Sequence, residues 1–409
     1  MTYRHRVATV FLFGFFLDLI NMFIASIAFP AISHALAVSV SQLAWVSNAY
    51  ILGLTVVVPF SAWLSQRCGP KRLFLLSLGL FSLGALASGL AHSLGALIFW
   101  RTLQGMGGGL LIPLGQALTW PLFQPQERAK LSAAVMLVGL LAPACSPAIG
   151  GLLVQAFSWR WVFFASLPVA LLTFMLAARW LNDTSAPVRP ARLLPLSLLA
   201  DPLLRFAMLI YLCVPGMFIG VNVVGMFYLQ RVTGMAPGAI GALMVPWSLA
   251  SFVAITFTGR YFNRFGPRPL VIVGCLLQAA GILLLLQVDA HSPLALLILA
   301  FTLMGGGGSL CSSTAQSSAF LHTPGEEMPD ASALWNLNRQ LSFFAGSALL
   351  ALLLRIFPPA YAWQGAFSCA AAITLLPLLC CLRLNNRDAP RDKCGHSGAI
   401  NHGHTCCRM

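Results

Sequence analysis

Long apolar runs separated by short polar turns fill most of the chain. A helix rises about 1.5 Å per residue, so about 20 mostly apolar residues cross the hydrocarbon core of a bilayer. Twelve segments reach that length: 7–30, 42–64, 71–91, 94–119, 129–154, 160–181, 204–229, 238–262, 267–287, 292–318, 329–355 and 360–383. Strands of a membrane barrel would be about half as long and would alternate in polarity. These runs do neither, so the pattern predicts an all-α polytopic membrane protein with twelve transmembrane helices. The first run follows Arg4 and Arg6, as the apolar region of a secretory signal would. It is too long for that role and eleven more runs follow, so it is expected to persist as the first helix.

Composition agrees. Of 409 residues, 58% are hydrophobic and only 8% charged, where a soluble domain has about a quarter charged. So few charges cannot cover a water-soluble globule, which excludes a soluble enzyme. The net charge of +14 would raise nucleic acid as a partner in a soluble chain. Here it is explained by cytoplasmic loops, which gather Lys and Arg, and no nucleic acid is expected. With the N-terminus inside, one face receives 19 Lys and Arg, and the other only Arg160, Arg231 and Arg355. Both termini are therefore expected in the cytoplasm. The one inner loop without a positive charge, 322–330, carries Glu326, Glu327 and Asp330. Eight of the 11 cysteines fall in or beside apolar runs, where Cys is a small hydrophobe, so no disulfide framework is expected.

The turn after the second run repeats after the eighth. Arg67, Gly69, Pro70 and Lys71 return as Arg264, Gly266, Pro267 and Arg268, 197 positions on. The chain is thus two six-helix pseudo-symmetric halves, residues 1–181 and 204–383, joined by a cytoplasmic linker at 182–203 and followed by a Cys- and His-containing tail at 384–409. Parallel repeats of this kind build transporters whose substrate site lies between the halves.

The repeated turn resembles the loop motif of the major facilitator superfamily. Arg101, Gln104, Gly105 and Gly107 resemble its fourth-span motif. Pro143, Ser146, Pro147, Gly150 and Gly151 resemble the fifth-span antiporter motif. Trp159 to Pro168, Phe227 to Pro237 and Arg339 with Gln340 complete a likeness to the drug:proton antiporter-2 branch over residues 7–383. The resemblance implies a multi-pass protein of the bacterial inner membrane, working as a monomer without a cofactor and exporting drug-like compounds against protons. It also implies a proton-relay role for Arg101, and conformational roles for Arg67, Gly69, Lys71, Pro143, Pro147, Gly150, Gly151, Arg264, Gly266 and Arg268. The chain departs from the branch at several places. Twelve spans stand where fourteen are common, Gln66 and Asn263 occupy the acidic position of the loop motif, and the first-span acid is Asp18 rather than position 21, which is Asn21.

Asp18 is the only acid deep in a predicted span. A charge there costs about 2.5–3.5 kcal/mol on insertion scales, so the residue needs a reason. Low-dielectric surroundings disfavour the ionised form, which makes the carboxyl a candidate to bind and release a proton. The plainer reading is a carboxyl held by hydrogen bonds to Asn21 one turn on, or paired with a helix-borne Arg. Arg101, the only cation deep in the first half, is the candidate partner; a static cation satisfying carbonyls is the alternative. Candidate cavity residues are Asn21, Asn48, Tyr50, Gln104, Gln116, Asn222, Tyr228, Gln230, Trp247, Asn336 and Asn338. A cavity rich in aromatics beside one acid suits amphipathic, often cationic, compounds. The glycines at 105–109 and 305–308 are expected to pack helices closely rather than cradle phosphate. In the tail, Cys394, His396, His402, His404, Cys406 and Cys407 are metal-ligand types, but their spacing matches no structural zinc module, and chance composition is the preferred reading.

The expected function is secondary export of amphipathic small molecules in exchange for protons across a lipid bilayer. No nucleotide-binding motif is present to supply energy otherwise. Alternatives are export of an endogenous metabolite such as a siderophore or metallophore, and a non-transporting membrane receptor or scaffold. The two buried charges oppose the scaffold. No span carries catalytic residues at a catalytic spacing, so the chain is not expected to be an enzyme.

Overall fold

The computed structural model describes residues 2–38, 40–182, 196–235, 237–289, 291–358 and 361–381. The tail with its Cys and His residues, and most of the 182–203 linker, lie outside the described residues. The first half comprises α1 (Tyr3–Ile27), α2 (Phe29–Leu36), α3 (Val40–Val57), α4 (Ser61–Cys68), α5 (Pro70–Gly89), α6 (Leu94–Thr119), α7 (Pro125–Ala156), α8 (Trp161–Phe164) and α9 (Ser166–Trp180). The second comprises α10 (Pro202–Cys213), α11 (Pro215–Thr233), α12 (Pro237–Ala242), α13 (Met244–Phe265), α14 (Pro267–Leu284), α15 (Leu294–Ala319), α16 (Met328–Ile356) and α17 (Ala362–Cys381). No strand occurs among the described residues.

The helix boundaries follow local chemistry. Ser93 caps α6 by accepting a hydrogen bond from the Ala96 amide. Asp201 caps α10 through the Leu203 amide at 2.9 Å, and Pro202 follows in the first turn, where its missing N–H is no loss. α7 opens with a capping box between Gln124 and Glu127. The two repeated basic turns hinge on Gly69 and Gly266, with φ of 82° and 74°, a region closed to most side chains.

Ten segments among the described residues are long and apolar enough to cross a membrane. They correspond to ten of the twelve apolar runs. The other two runs are α6 and α7, helices of 26 and 32 residues. α6 carries Arg101, Gln104 and four closely spaced glycines and is buried along most of its length, so it is packed in protein rather than presented to lipid.

The two sets of helices pack alike around α6 and α15. In the first half, α3 and α5 lie against α6; in the second, α13 and α14 lie against α15. Gly105 abuts the Tyr50 backbone, and Gly305 abuts the Trp247 backbone at the matching place. Gly107 meets α5 at Phe81, and Gly307 meets α14 at Gln278. A side chain at any of these glycines would push the helices apart, which is why the two glycine runs sit there.

The halves meet along a seam formed by α7 against α13 and α15, and by α4 and α6 against α16. One core cluster crosses it, joining Phe11, Trp120, Leu131 and Val135 to Cys311, Phe320, Met328 and Trp335. These residues lie toward the end of the bundle that carries Tyr3 and the two basic turns. Toward the opposite end the cores belong to one half each. Ile24, Val46, Leu97 and Phe163 form one cluster; Val224, Leu243, Ile282 and Phe367 form another.

Candidate functional site

Asp18 lies on α1 facing α3 and α6, almost completely buried. The Tyr50 hydroxyl donates to Asp18 Oδ1 at 2.5 Å. Gly108 on α6 provides the room for this contact. A Cβ there would strike both the carboxylate and the phenol. The buried acid thus has a specific partner on a neighbouring helix, and a glycine that keeps the space open.

Arg101 does not touch Asp18. Its Nη1 donates to Gln104 Oε1 at 2.9 Å and its Nη2 to the Asn21 carbonyl at 3.1 Å. Gln104 in turn donates to Asn21 Oδ1 at 2.9 Å, and Asn21 to the Leu17 carbonyl at 3.0 Å. The guanidinium lies over the Tyr50 ring, 4.3 Å from its centroid. Tyr50 therefore stands between acid and base, giving its hydroxyl to one and its face to the other. The expected alternative for Asp18, a bond to Asn21, is not made. Asn21 instead bridges α1 to α6 through Gln104.

A second set of polar contacts closes the seam. Asn336 Nδ2 donates to Gln116 Oε1 at 2.6 Å, linking α16 to α6 across the halves. Arg128, at the start of α7, donates to the Phe320 and Leu321 carbonyls at the end of α15. Asn263 of the second basic turn donates to the Gln126 carbonyl at 2.6 Å. Arg4 and Glu127 pair at 2.9 Å beside these contacts. Helix C-termini carry unsatisfied carbonyls and partial negative charge, so a guanidinium from the opposite half is a fitting clasp.

The model of the Major Facilitator Superfamily matches residues 11–236 and 207–398. The chain belongs to this superfamily. As a superfamily member it is a membrane transporter rather than an enzyme. A multidrug resistance protein B homolog of Mycobacterium tuberculosis (strain CDC 1551 / Oshkosh) is 29% identical over 371 residues, covering 76% of this chain and 69% of that protein. YhcA of Bacillus subtilis (strain 168), an uncharacterized MFS-type transporter, is 25% identical over 398 residues, covering 83% and 75%. The crystal structure of the human organic anion transporter MFSD10 (TETRAN) superposes with a TM-score of 0.77 at 16% identity, over 93% of this chain and 100% of that one. At that identity the likeness is one of fold.

The transporter's other expected site residues scatter. Trp247 stacks on Phe218 at 5.2 Å, at the place in the second half that Tyr50 holds in the first. Asn222 faces the Met244 sulfur at 3.6 Å, and Asn338 donates to the Met208 carbonyl at 3.3 Å. Tyr228 bonds the Val288 carbonyl and packs on Trp363 and Phe367, inside the second half. Asn48 and Gln230 are exposed on α3 and at the end of α11. In the basic turns, Arg67 lies over Trp63 and Arg264 over Phe265. α7 runs unbroken through the fifth-span motif. Gly150 packs on Ile24 and Ile27, and Gly151 meets open space. The side chains of Pro143 and Pro147 lie outside the described residues. A groove of about 610 Å³ beside Gly79, Leu171 and Phe174 is lined by no ionisable group and shares no lining residue with the Asp18 site.

In the sequence Arg128 is indistinguishable from the other basic residues of the inner loops. Its carbonyl partners lie 192 and 193 positions away, and nothing in the sequence marks them.

Proposed function

We propose that this chain is a twelve-helix exporter of amphipathic small molecules, driven by protons entering in exchange and working by alternating access between the halves. The observation that carries this reading is the Asp18–Tyr50–Gly108 arrangement. It is a membrane-depth acid with one hydrogen-bond donor and a cation held nearby, yet not locked to it. Such an acid has no structural need that a neutral residue would not meet more cheaply, whereas a proton carrier requires it.

The count of Lys and Arg assigns the closed end of the seam, with both termini, to the cytoplasm. The conformation is then the outward-open one, with Arg128, Asn263 and the Gln116–Asn336 pair sealing the inner face. The relatives' multidrug names support export of drug-like cargo, and the bacterial inner membrane is the corresponding location. The protein acts as a monomer, since each chain carries both halves of one transport path.

The test uses cells stripped of their major efflux pumps and loaded with fluorescent amphipathic dyes of either charge. Wild type should speed dye loss, an uncoupler should abolish the effect, and Asp18→Asn should do the same without an uncoupler. Dye loss in Asp18→Asn that still follows the proton gradient would overturn the coupling role.

A further inference from the structure

The groove of about 610 Å³ runs between α5 and α9, which pack against each other. Gly79 and Ser82 form one wall, and Leu167, Leu171 and Phe174 the other. Leu76, Leu83, Leu171 and Met175 around it are each at least half exposed, so the groove opens toward lipid. It exists because position 79 lacks a side chain. A Cβ built there would meet no atom within 4 Å.

One end of the groove leads to positive charge. Arg72, Leu76, Gly79 and Leu83 are spaced by four, three and four residues, which is one stripe of a helix. Arg72 therefore stands in line with the groove, about 10 Å from Gly79 along the axis of α5. Lys71 lies beside it in the first turn, where the N-cap Gly69 offers no side-chain acceptor to the free amides. Such an end favours an anion. α9 ends at the same level, with Arg179 in its last turn, about 12 Å beyond Leu171. Neither helix contains an acid, and none of the three cations pairs with one among the described residues. One leaflet of the hydrocarbon core is about 15 Å deep, so cations and groove fall within a single leaflet. A topological role would explain the charges but not a gap in line with them. The fold itself requires neither feature: 197 positions on, the second half carries Pro269 for Arg72 and Leu276 for Gly79.

We infer that α5 and α9 form a binding site for one anionic phospholipid, with its phosphate on Arg72, flanked by Lys71 and Arg179, and one acyl chain lying in the groove over Gly79. Basic residues between spanning helices at the cytoplasmic face select anionic headgroups, and a guanidinium suits a phosphate through paired hydrogen bonds. The Arg72 stem lies along the apolar stripe while its charged head stays at the interface. A zwitterionic lipid would bring a further cation to a place that already holds three, and is disfavoured there. With the basic turns in the cytoplasm, the lipid belongs to the inner leaflet. This site is separate from Asp18 and goes beyond the export reading.

The test is native mass spectrometry of the purified full chain in detergent, titrated with dioleoyl-phosphatidylglycerol or dioleoyl-phosphatidylcholine. The two lipids share their chains and differ in headgroup charge. The first phosphatidylglycerol should bind about ten-fold or more tightly than the first phosphatidylcholine. Arg72→Gln should weaken it about five-fold, the effect of one basic residue near a charged headgroup. Gly79→Phe fills the groove from a position with open space and should remove the tight lipid while leaving all three cations in place. Gly95→Phe, where a Cβ also meets nothing within 4 Å, is the matched control and should bind as wild type does. Equal affinity for the two lipids, or unchanged phosphatidylglycerol binding in Gly79→Phe, overturns the inference. An equal loss in Gly95→Phe also overturns it. A dimer that Gly79→Phe converts to monomer would assign the groove to a second copy of the chain and overturn it as well. If Gly79→Phe fails to fold, Arg72→Gln decides: an unchanged preference for phosphatidylglycerol overturns the site. The assay contains neither cargo nor gradient, so its failure leaves the export reading untouched.

Discussion

The Tyr50 hydroxyl and the Asp18 carboxylate, 32 positions apart in sequence, meet at 2.5 Å in the buried middle of the first half. A hydrogen bond to a charged group is worth about 1.5–3 kcal/mol, which is about ten- to a hundred-fold in an equilibrium. Tyr50→Phe keeps the ring on which Arg101 rests and removes only the donor. Proton-driven efflux should fall by about ten-fold or more on that scale, while the melting temperature changes little. Initial rates in proteoliposomes under an imposed pH gradient measure this. Rates equal to wild type would show that the phenol is structural.

Gly108 makes the same site testable by volume. A methyl group here meets the Asp18 carboxylate and the Tyr50 hydroxyl, held between packed helices. Overpacking of this sort costs about 1–3 kcal/mol. Gly108→Ala should therefore lower both melting temperature and transport. Gly306→Ala is the matched control on α15, where the nearest atom to a new Cβ is the Ala250 methyl at 3.9 Å. It should leave both unchanged. Thermal unfolding of the two variants side by side separates the outcomes.

Arg128 clasps the carbonyl end of α15 from the opposite half. Removing it leaves those carbonyls uncapped and the seam less well closed. With charge-assisted bonds at about 1.5–3 kcal/mol, Arg128→Ala should move the equilibrium toward the state parted at this face by about ten-fold. Spin labels at positions 72 and 264, in a background freed of other reactive cysteines, would report it as a longer distance component. An unchanged distance distribution would mean that the aromatic packing of Trp120, Phe320 and Trp335 closes the face without the clasp.

The helices were legible in the sequence because lipid demands long apolar runs, and α6 coincides with the predicted 94–119 segment. Breaks within spans were only partly legible. The seventh predicted span is two helices, α10 and α11, meeting at Val214 before Pro215, and the sixth is divided at Ala165. Pro215 is a visible signal for the first break, since Pro disfavours helical geometry in the residue before it. Asp18, Arg101, Gln104 and Asn21 stood out because polar groups at membrane depth are few. Their connections did not, because Tyr50 reaches Asp18 only through a close approach of α3 to α6 that the glycine run allows. The cross-seam pairs belong to residues about 130 to 220 positions apart, and no local rule relates such positions.

The Gln116–Asn336 pair offers the sharpest test of how the halves are held. Asn336 Nδ2 gives its hydrogen bond across the seam at 2.6 Å, and both side chains are buried. The Asn336 Oδ1 atom has no partner among the described residues, and neither does Asn263 Oδ1, so the closed face already carries unmet acceptors. Removing one member of a buried pair leaves the other desolvated and unpaired, at about 1–3 kcal/mol, whereas replacing both with apolar groups of similar shape is close to neutral. Gln116→Leu and Asn336→Leu should each lower the melting temperature, and the double variant should recover most of the loss. The double variant should also hold the face closed, because two leucines pack against each other and neither draws water into the seam. Transport should then slow even as stability returns, since reopening must expose apolar surface in place of groups that hydrate readily. Additive losses in the double variant, measured by unfolding of all four proteins, would show that the two residues act independently.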